Sequence, residues 1–360
     1  MTTSLASETP VSVSRSEFDT MLRFSRTVFR LKDNPAYLSR LSSSLPQTAH
    51  IRTEWPSVLM GFDFHLTPDG PKLIEINNNA GGLYIGEKRW IPQPGISELQ
   101  GDLESRLVEM FPPEWATIAI MDENVTAQFM YPEMQAYAEL LGNDGRHVFV
   151  VSPDQLQLMD DGLCCDGMRI DMIYNRHTDF YLEGADLAHI RHAYERGQEA
   201  INPHPRSYAL IGDKSRMVDW WRQGLLESCV DQSVAEKIRS VTPETHQLSE
   251  LNPEQAWAER KQWVFKPAAR HGGKGVVLGK AMSRKRYAAL NVRETIVQRL
   301  VPASEIEMEG PDGEKNSMKL DIRLFMHGEN LVALAGRVWR GQVTNFRQPG
   351  SGWVPIDISV

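Results

Sequence analysis

Phe265-Lys266-Pro267-Ala268-Ala269-Arg270-His271-Gly272-Gly273-Lys274-Gly275-Val276 reads as a strand that delivers a lysine into a loop of three glycines and then turns into a second strand. Glycine lets backbone N–H groups approach an anion closely, and Lys266 adds a fixed positive charge at the loop entrance. This is not a Walker A loop: no Ser or Thr follows a Gly-Lys pair at the required spacing, and no helix follows. The G-x-G-x-x-G turn that opens a helix in dinucleotide-binding folds is absent too. A glycine-rich hairpin with no ligand would share this texture, so the surrounding charge matters. Between Arg260 and Arg299 stand 11 Lys/Arg against one acid, Glu294, a +10 segment in a chain of net charge −8. Arg284-Lys285-Arg286 reads as a solvated face. Lys266, Arg270 and Lys274 flank the glycines and suit a polyanion such as ATP.

A second signal lies far upstream, in Gly61-Phe62-Asp63 and Ile74-Glu75-Ile76-Asn77. Thr67-Pro68-Asp69-Gly70 is a good hairpin turn between two strands, Ser57 to Phe64 and Pro71 to Ile76. Strand alternation puts Glu75 and Asn77 on one face, and pairing across the turn lets Asp63 share it. Two carboxylates and an amide oxygen are a hard-oxygen set suited to Mg²⁺ carrying phosphates. A surface hairpin with scattered polar residues is the plainer alternative. Against it, Asp63 and Glu75 interrupt apolar strands, where an unneutralised carboxylate is costly.

Around these two signals the chain divides into three stretches. Residues 1–111 begin with a loose tail of a dozen residues. A helical pattern follows from Ser16 to Leu41, interrupted at Asn34-Pro35; then come the hairpin and a second helical pattern from Ile96 to Phe111. Pro112-Pro113 marks a boundary. Residues 112–206 alternate: strand Ala116–Met121, helix Tyr131–Leu141, strand His147–Val151, a helical turn at Ser152-Pro153-Asp154, strand Met168–Tyr174 and helix Ala185–Ala200. That order predicts an α/β unit with a parallel sheet. Residues 207–360 hold a helix from Ser215, a turn at Thr242-Pro243, and strands at Trp263–Lys266, Gly275–Leu278, Thr295–Leu300, Asp321–Met326 and Leu331–Val338. Glu309 to Asn316 reads as a mobile loop.

Composition limits the function classes. With 360 residues, 41% of them apolar and 24% charged, the chain is globular rather than disordered. An acidic balance argues against a general nucleic-acid coat or a basic membrane binder. Cys164, Cys165 and Cys229 cannot form a disulfide framework or a zinc-type pair of C-x-x-C motifs. They read as reduced thiols in a cytoplasm. Neither a signal-type leader nor an 18-residue apolar window is present, so no membrane partner is expected.

Together these motifs resemble the ATP-grasp superfamily, in the circularly permuted arrangement of eukaryotic-type glutathione synthetase and glutathionylspermidine synthetase-like proteins. Asp213-Lys214 resembles the pair that opens the fold, Thr242-Pro243-Glu244-Thr245 the following turn, and Phe265-Lys266-Pro267 the second ATP-lysine strand. Val297-Gln298-Arg299-Leu300-Val301-Pro302 resembles the adenine hinge. Asp321-Ile322-Arg323-Leu324-Phe325, with Gly336-Arg337 and Thr344-Asn345, resembles the run that carries the acylphosphate chemistry. In most relatives the metal strands come last; here they come first. The resemblance therefore implies an α/β ATP-grasp fold, circularly permuted, with residues 112–206 as a Rossmann-like pre-ATP-grasp domain. Some permuted glutathione synthetases carry a metal-binding Glu four residues after the loop lysine. Here that position is Arg270, which makes glutathione synthesis itself less expected.

The implied activity is an ATP- and Mg²⁺-dependent carboxylate–amine ligase acting through an acylphosphate, on small-molecule acid and amine substrates. The expected metal set is Asp63, Glu75 and Asn77. Lys214 and Lys266 are assigned to phosphates, as are His271, Gly272, Gly273 and Lys274 of the loop and, as a further contact, Lys319. Gln298, Arg299 and Leu300 are assigned to the base, and Arg323, Arg337 and Asn345 to the acylphosphate. Asn78, Asn79 and Arg176 are assigned to substrate. Tyr174-Asn175-Arg176 resembles a segment that holds a substrate carboxylate, although a structural arginine at a strand end fits nearly as well. A kinase of the same fold and a nucleotide-binding regulatory module are the rival readings. The resemblance also carries a homodimer as the usual state.

Overall fold

A computed structural model describes residues 6–7, 9–84, 96–99, 101–268, 275–309, 315–342, 344 and 350–359. Its centre is a six-stranded sheet in the order Gly352–Val354, Asn330–Trp339, Lys315–His327, Met60–Thr67 and Gly70–Asn77. Ser304–Glu309 also pairs with Lys315–His327. The thirteen-residue strand Lys315–His327 is the seam of the molecule. Its first half pairs with Ser304–Glu309, and Ile322–Met326 pairs with Met60–Phe64. The early hairpin is thus hydrogen-bonded into a sheet built from residues more than 240 positions later, which is the permuted order read from the motifs.

The hairpin strand Gly70–Asn77 contains a bulge. Asp63 stands opposite Glu75, but Phe64 stands opposite Leu73, so Ile74 has no cross-strand partner. One face of this sheet is covered by the helix Arg15–Leu31, which starts at a capping box of Ser14 and Glu17. Its buried residues Phe18, Met21, Leu22, Phe24 and Val28 recur at helical spacing and pack with Phe62, Phe64, Leu73, Ile322 and Leu324. The opposite face carries the polar row described below.

Residues 112–206 contain a four-stranded parallel sheet in the order Ala200–Asn202, Met172–Asn175, Thr117–Met121, His147–Val151. Three sequence expectations are corrected around it. The helix expected over 185–200 stops at Glu195, because Gly197 takes a left-handed φ of 68° and closes the helix end; Ala200–Asn202 is the edge strand. The strand expected over 168–174 is two strands. Met168–Arg169 joins a small antiparallel sheet, while Met172–Asn175 enters the parallel one, with the Asp171 carboxylate accepting the Thr117 N–H between them at 2.8 Å. The helix expected over 96–111 is confined to Leu103–Val108, capped by Asp102 directly after Gly101. The N-terminal tail is shorter than expected, since Val11–Ser14 pairs in parallel with Ile356–Ser359.

A second antiparallel sheet, ordered Thr245–Gln247, Thr295–Arg299, Trp263–Pro267, Val277–Leu278, forms a lobe over the open face of the central sheet. Trp263, Phe265, Val277, Met282 and Val297 are its core. Of the stretch expected as a mobile loop over 309–316, Glu309, Lys315 and Asn316 stand in paired strands, and residues 310–314 lie outside the described residues. Among the described residues, no helix is long and apolar enough to cross a membrane.

Candidate functional site

Cross-strand register builds the polar row. Arg323 stands opposite Asp63, Asp63 opposite Glu75, and Asp321 opposite Arg337. Directly opposed residues share a sheet face, so all five side chains point the same way. They form one wall of a cavity of about 620 Å³. The small lobe supplies the facing wall, with Val264, Lys266, Val276, Leu278 and Lys280, and the segment Gln298–Ala303 closes one end. Among the described residues, seven Lys/Arg and four Asp/Glu line this cavity, a basic excess suited to a polyanion.

Lys214 precedes the helix Ser215–Trp221, and its ammonium lies 3.1 Å from Glu75. Lys266 donates to the side-chain oxygen of Gln298 at 2.6 Å and to the Ile74 carbonyl at 3.0 Å. That carbonyl belongs to the bulged residue, so the irregular strand serves to seat the lysine. Burial, with nearby Lys214 adding to it, pushes the Lys266 ammonium down to about 8 against the opposing pull of Glu75. Burial would raise Glu75, but Lys214 and Lys266 outweigh it and hold the carboxyl below its ordinary value. The two lysines and Glu75 are one coupled electrostatic unit.

Asp63, only 2% exposed, is used differently. Arg323 grips it with two bonds of 2.6 and 2.7 Å, Arg337 adds one of 2.7 Å, and the Asn77 amide donates another of 3.0 Å. Three of these four bonds fall on Oδ2 and one on Oδ1, so the carboxylate is largely occupied by cationic and amide donors. Arg337 continues onto Asp321 with a fork of 2.6 and 2.8 Å, and Thr344 donates to Asp321 at 3.2 Å. Burial alone would raise the Asp63 carboxyl; Arg323 and Arg337 reverse the sign and hold it below the usual carboxylate range. Asp63 thus anchors arginines, which departs from its expected place as an open metal ligand. Glu75 and the Asn77 amide oxygen are the hard donors on the cavity wall. Among the described residues, no three His, Cys, Asp or Glu side chains come together in metal-binding fashion.

The residues expected at the hinge, Gln298, Arg299 and Leu300, all line the cavity together with Val301–Ala303. The Arg299 N–H donates to the Glu244 carbonyl at 2.7 Å and the Leu300 N–H to the Gln262 carbonyl at 2.8 Å. The Gln298 side chain holds Lys266. His65, missed in the sequence, stacks on Trp339 with ring centroids 6.2 Å apart, and its Nδ1 lies 3.0 Å from the Val301 carbonyl. A carbonyl only accepts, so this nitrogen carries the proton; burial lowers the His65 pKa and favours the neutral ring. Both His65 and Trp339 line the cavity, as do Lys280 and Glu305. The +10 segment was the available signal for Lys280. Lys319 is on the wall too, with its ammonium donating to the Gly341 carbonyl.

The three residues assigned to substrate are not on the cavity wall. Arg176 is buried beneath the loop Asn78–Gly82 that follows the hairpin, where it donates to the Asn79 side chain, the Ala80 carbonyl at 3.2 Å and the Tyr174 hydroxyl at 3.2 Å. It also lies 3.7 Å from Glu133, whose carboxylate accepts the backbone N–H groups of Gly82 and Tyr84. A side chain at Gly81 would come within 2.7 Å of the Arg176 guanidinium, so glycine is required there. Asn78 packs under Ser57 and Gly212. Arg176 shapes the loop that borders the cavity, the structural alternative for an arginine at a strand end. His271, Gly272, Gly273, Lys274 and Asn345 lie outside the described residues.

A split sheet whose early hairpin completes a late one, with a small antiparallel lobe closing a lysine- and carboxylate-lined cleft, is the ATP-grasp fold in permuted order. Among solved structures, a glutathione synthetase-like effector from Globodera pallida in its apo form matches with a TM-score of 0.58 at 13% identity, over 97% of this chain and 89% of that one. A putative γ-glutamylcysteine synthetase from Methylobacillus flagellatus KT matches with a TM-score of 0.53 at 14% identity, over 96% of this chain and 89% of that one. At these identities the likeness is one of fold. No family model and no curated protein sequence matches the chain.

Proposed function

We propose that the protein is an ATP-dependent ligase that joins a carboxylic acid to an amine through an acylphosphate. The observation that carries this reading is the convergence on one cavity of two buried lysines, Glu75 with Asn77, and the Arg323–Arg337 pair, from positions up to 262 residues apart (337 − 75). Lys214 and Lys266 suit the nucleotide phosphates, and the apolar slot of Val264, Leu278, Leu300 and Val301 suits a purine. Glu75 and Asn77 fit Mg²⁺ by donor type; when bound with the nucleotide, the ion neutralises phosphate charge. A substrate carboxylate oxygen attacks the γ-phosphorus and ADP leaves. An amine nitrogen then attacks the acyl carbon, the C–O bond to phosphate breaks, and the amine loses a proton. Arg323 and Arg337 stabilise charge developing on the acylphosphate. No side-chain nucleophile is required, since positioning and electrostatics dominate phosphoryl transfer.

The direct test is product analysis with mixtures of acids and amines. A ligase yields ADP, phosphate and an amide. A stable phosphorylated product would replace this reading with a kinase, and ATP binding without ADP release in any mixture would leave a regulatory module. The state of Lys266 adds a pH signature. Its folded pKa of about 8 lies below the ordinary 10.5, so the free protein loses this proton as pH rises through 8. Bound polyphosphate favours the charged form and draws a proton in. Affinity for a non-hydrolysable ATP analogue is expected to fall roughly eightfold from pH 7.5 to 9 by linkage. Calorimetry in buffers of different ionisation enthalpy measures both the fall and the proton uptake. A flat profile would place the lysine outside the phosphate site.

A further inference from the structure

We infer that the acid taken by this site is a monocarboxylate whose remainder is apolar, seated against Phe129 and Met130 with the buried Trp353 ring behind them. The inference rests on the ligase reading above and narrows its substrate. Residues 112–206 contribute two side chains to the described cavity wall, Phe129 and Met130, and both are apolar. Phe129 is 43% exposed. The other strongly exposed large apolar residues, Trp55, Leu158, Met159 and Val292, lie away from the cavity. A large aromatic ring turned into a concave wall is a ligand surface, whereas one scattered on a convex surface is ordinary.

The position of this apolar surface follows from the glycines. A side-chain carbon at Gly61 would lie 3.0 Å from Ala80 and 3.2 Å from Nε of Arg323. One at Gly81 would lie 3.4 Å from the Met130 methyl, and one at Gly82 would lie 2.8 Å from the Trp353 ring. The loop Ala80–Gly82 therefore runs from the arginine straight to the apolar patch. An acid held at Arg323 and Arg337 by its reacting carboxylate projects its other end onto Phe129 and Met130, which the Trp353 ring, 1% exposed, backs from the core. The cation that sequence offered for a second carboxylate, Arg176, is already engaged by Asn79, Ala80, Tyr174 and Glu133. A charged remainder would lose its hydration against these side chains, while an apolar one gains by leaving water.

Phe129 and Met130 directly precede the helix Tyr131–Asn143, which also carries Glu133, the residue that fixes the Gly82 and Tyr84 backbone. One helix start thus sets both the loop and the apolar lip, so the surface is pre-formed.

The test is calorimetric titration of the whole protein, loaded with Mg²⁺ and a non-hydrolysable ATP analogue, with acetate, butyrate, hexanoate, 3-phenylpropionate, succinate and glutamate. Affinity is expected to rise at least tenfold from acetate to 3-phenylpropionate, with succinate and glutamate binding no better than acetate. Phe129→Ser should remove most of that gradient and Phe129→Leu keep it, with affinity for the nucleotide analogue unchanged in both. An apolar gradient without ADP release in any mixture with amines would support this inference while overturning the ligase reading. Amide formation only from dicarboxylates would do the reverse. Tighter binding of glutamate than of 3-phenylpropionate, an equal loss for every acid in Phe129→Ser, or no acid binding at all would overturn it.

Discussion

Glu75→Gln is expected to lower ADP release by about 10²–10³-fold or more while leaving a folded protein, because it removes one charge from the unit that must meet the nucleotide phosphates. The substitution keeps the side-chain volume and an oxygen that Lys214, now 3.1 Å away, can still contact. What changes is the field. Glu75 is the strongest influence raising the Lys266 pKa against burial, so its neutralisation drives that pKa below its present value of about 8. It also removes a carboxylate on the wall whose oxygens are not filled by arginine, a better donor for Mg²⁺ than the amide that replaces it. The variant should need more Mg²⁺ for half-maximal rate, and its affinity for the ATP analogue should begin to fall at lower pH than in the parent. Circular dichroism and urea denaturation check the fold, and coupled ADP release at graded Mg²⁺ checks the chemistry. Parent-like turnover at limiting Mg²⁺ would remove Glu75 from the site.

The parts of this site that were legible in the sequence are those written locally. Thr67-Pro68-Asp69-Gly70 is a turn on chemistry alone, and the two-residue alternation of Glu75 and Asn77 sets their common face. Lys266 at a strand end before glycines needs a window of a dozen residues. Contacts across the permutation are another matter. The pairing of Asp63 with Arg323 spans 260 positions, and nothing in either segment specifies its partner. The sequence could therefore show that Asp63 stands in an apolar strand needing neutralisation, but not that guanidinium rather than metal supplies it. Arg176 failed for the same reason. Its strand end looks identical whether the guanidinium faces a substrate or Glu133, and the deciding residue lies 43 positions upstream on a helix. The bulge at Ile74 leaves no mark on composition, yet it frees the carbonyl that seats Lys266. The helix end at Gly197 is by contrast a local signal, since a glycine after the last helical turn is a common stop.

Asp63→Asn should cost about 3–5 kcal/mol of stability, the usual penalty for breaking a buried ion pair from one side. Asp63 and Asp321 balance Arg323 and Arg337 in a dry network of two negative and two positive groups. Neutralising Asp63 leaves an uncompensated guanidinium charge, and one of the two oxygens that accept from Arg323 becomes an amide NH₂ that cannot accept. Because the folded carboxyl lies below its ordinary value, its stabilisation is full above the unfolded pKa and is lost as pH falls through the folded one. The parent should therefore show a stability loss at acid pH that the variant lacks. Arg323→Met added to Asp63→Asn restores charge balance, so the double variant should be more stable than the sum of the single losses by more than about 1 kcal/mol. Urea denaturation with unchanged slope measures all three. The same variant separates the two uses of a carboxylate at this position. If Asp63 anchors the arginines, Asp63→Asn destabilises the metal-free protein, and Glu75→Gln rather than Asp63→Asn shifts Mg²⁺ affinity measured calorimetrically with the ATP analogue. A stability loss under about 1 kcal/mol together with a large shift in Mg²⁺ affinity would return Asp63 to the metal and require the arginines to be held by Asp321 alone.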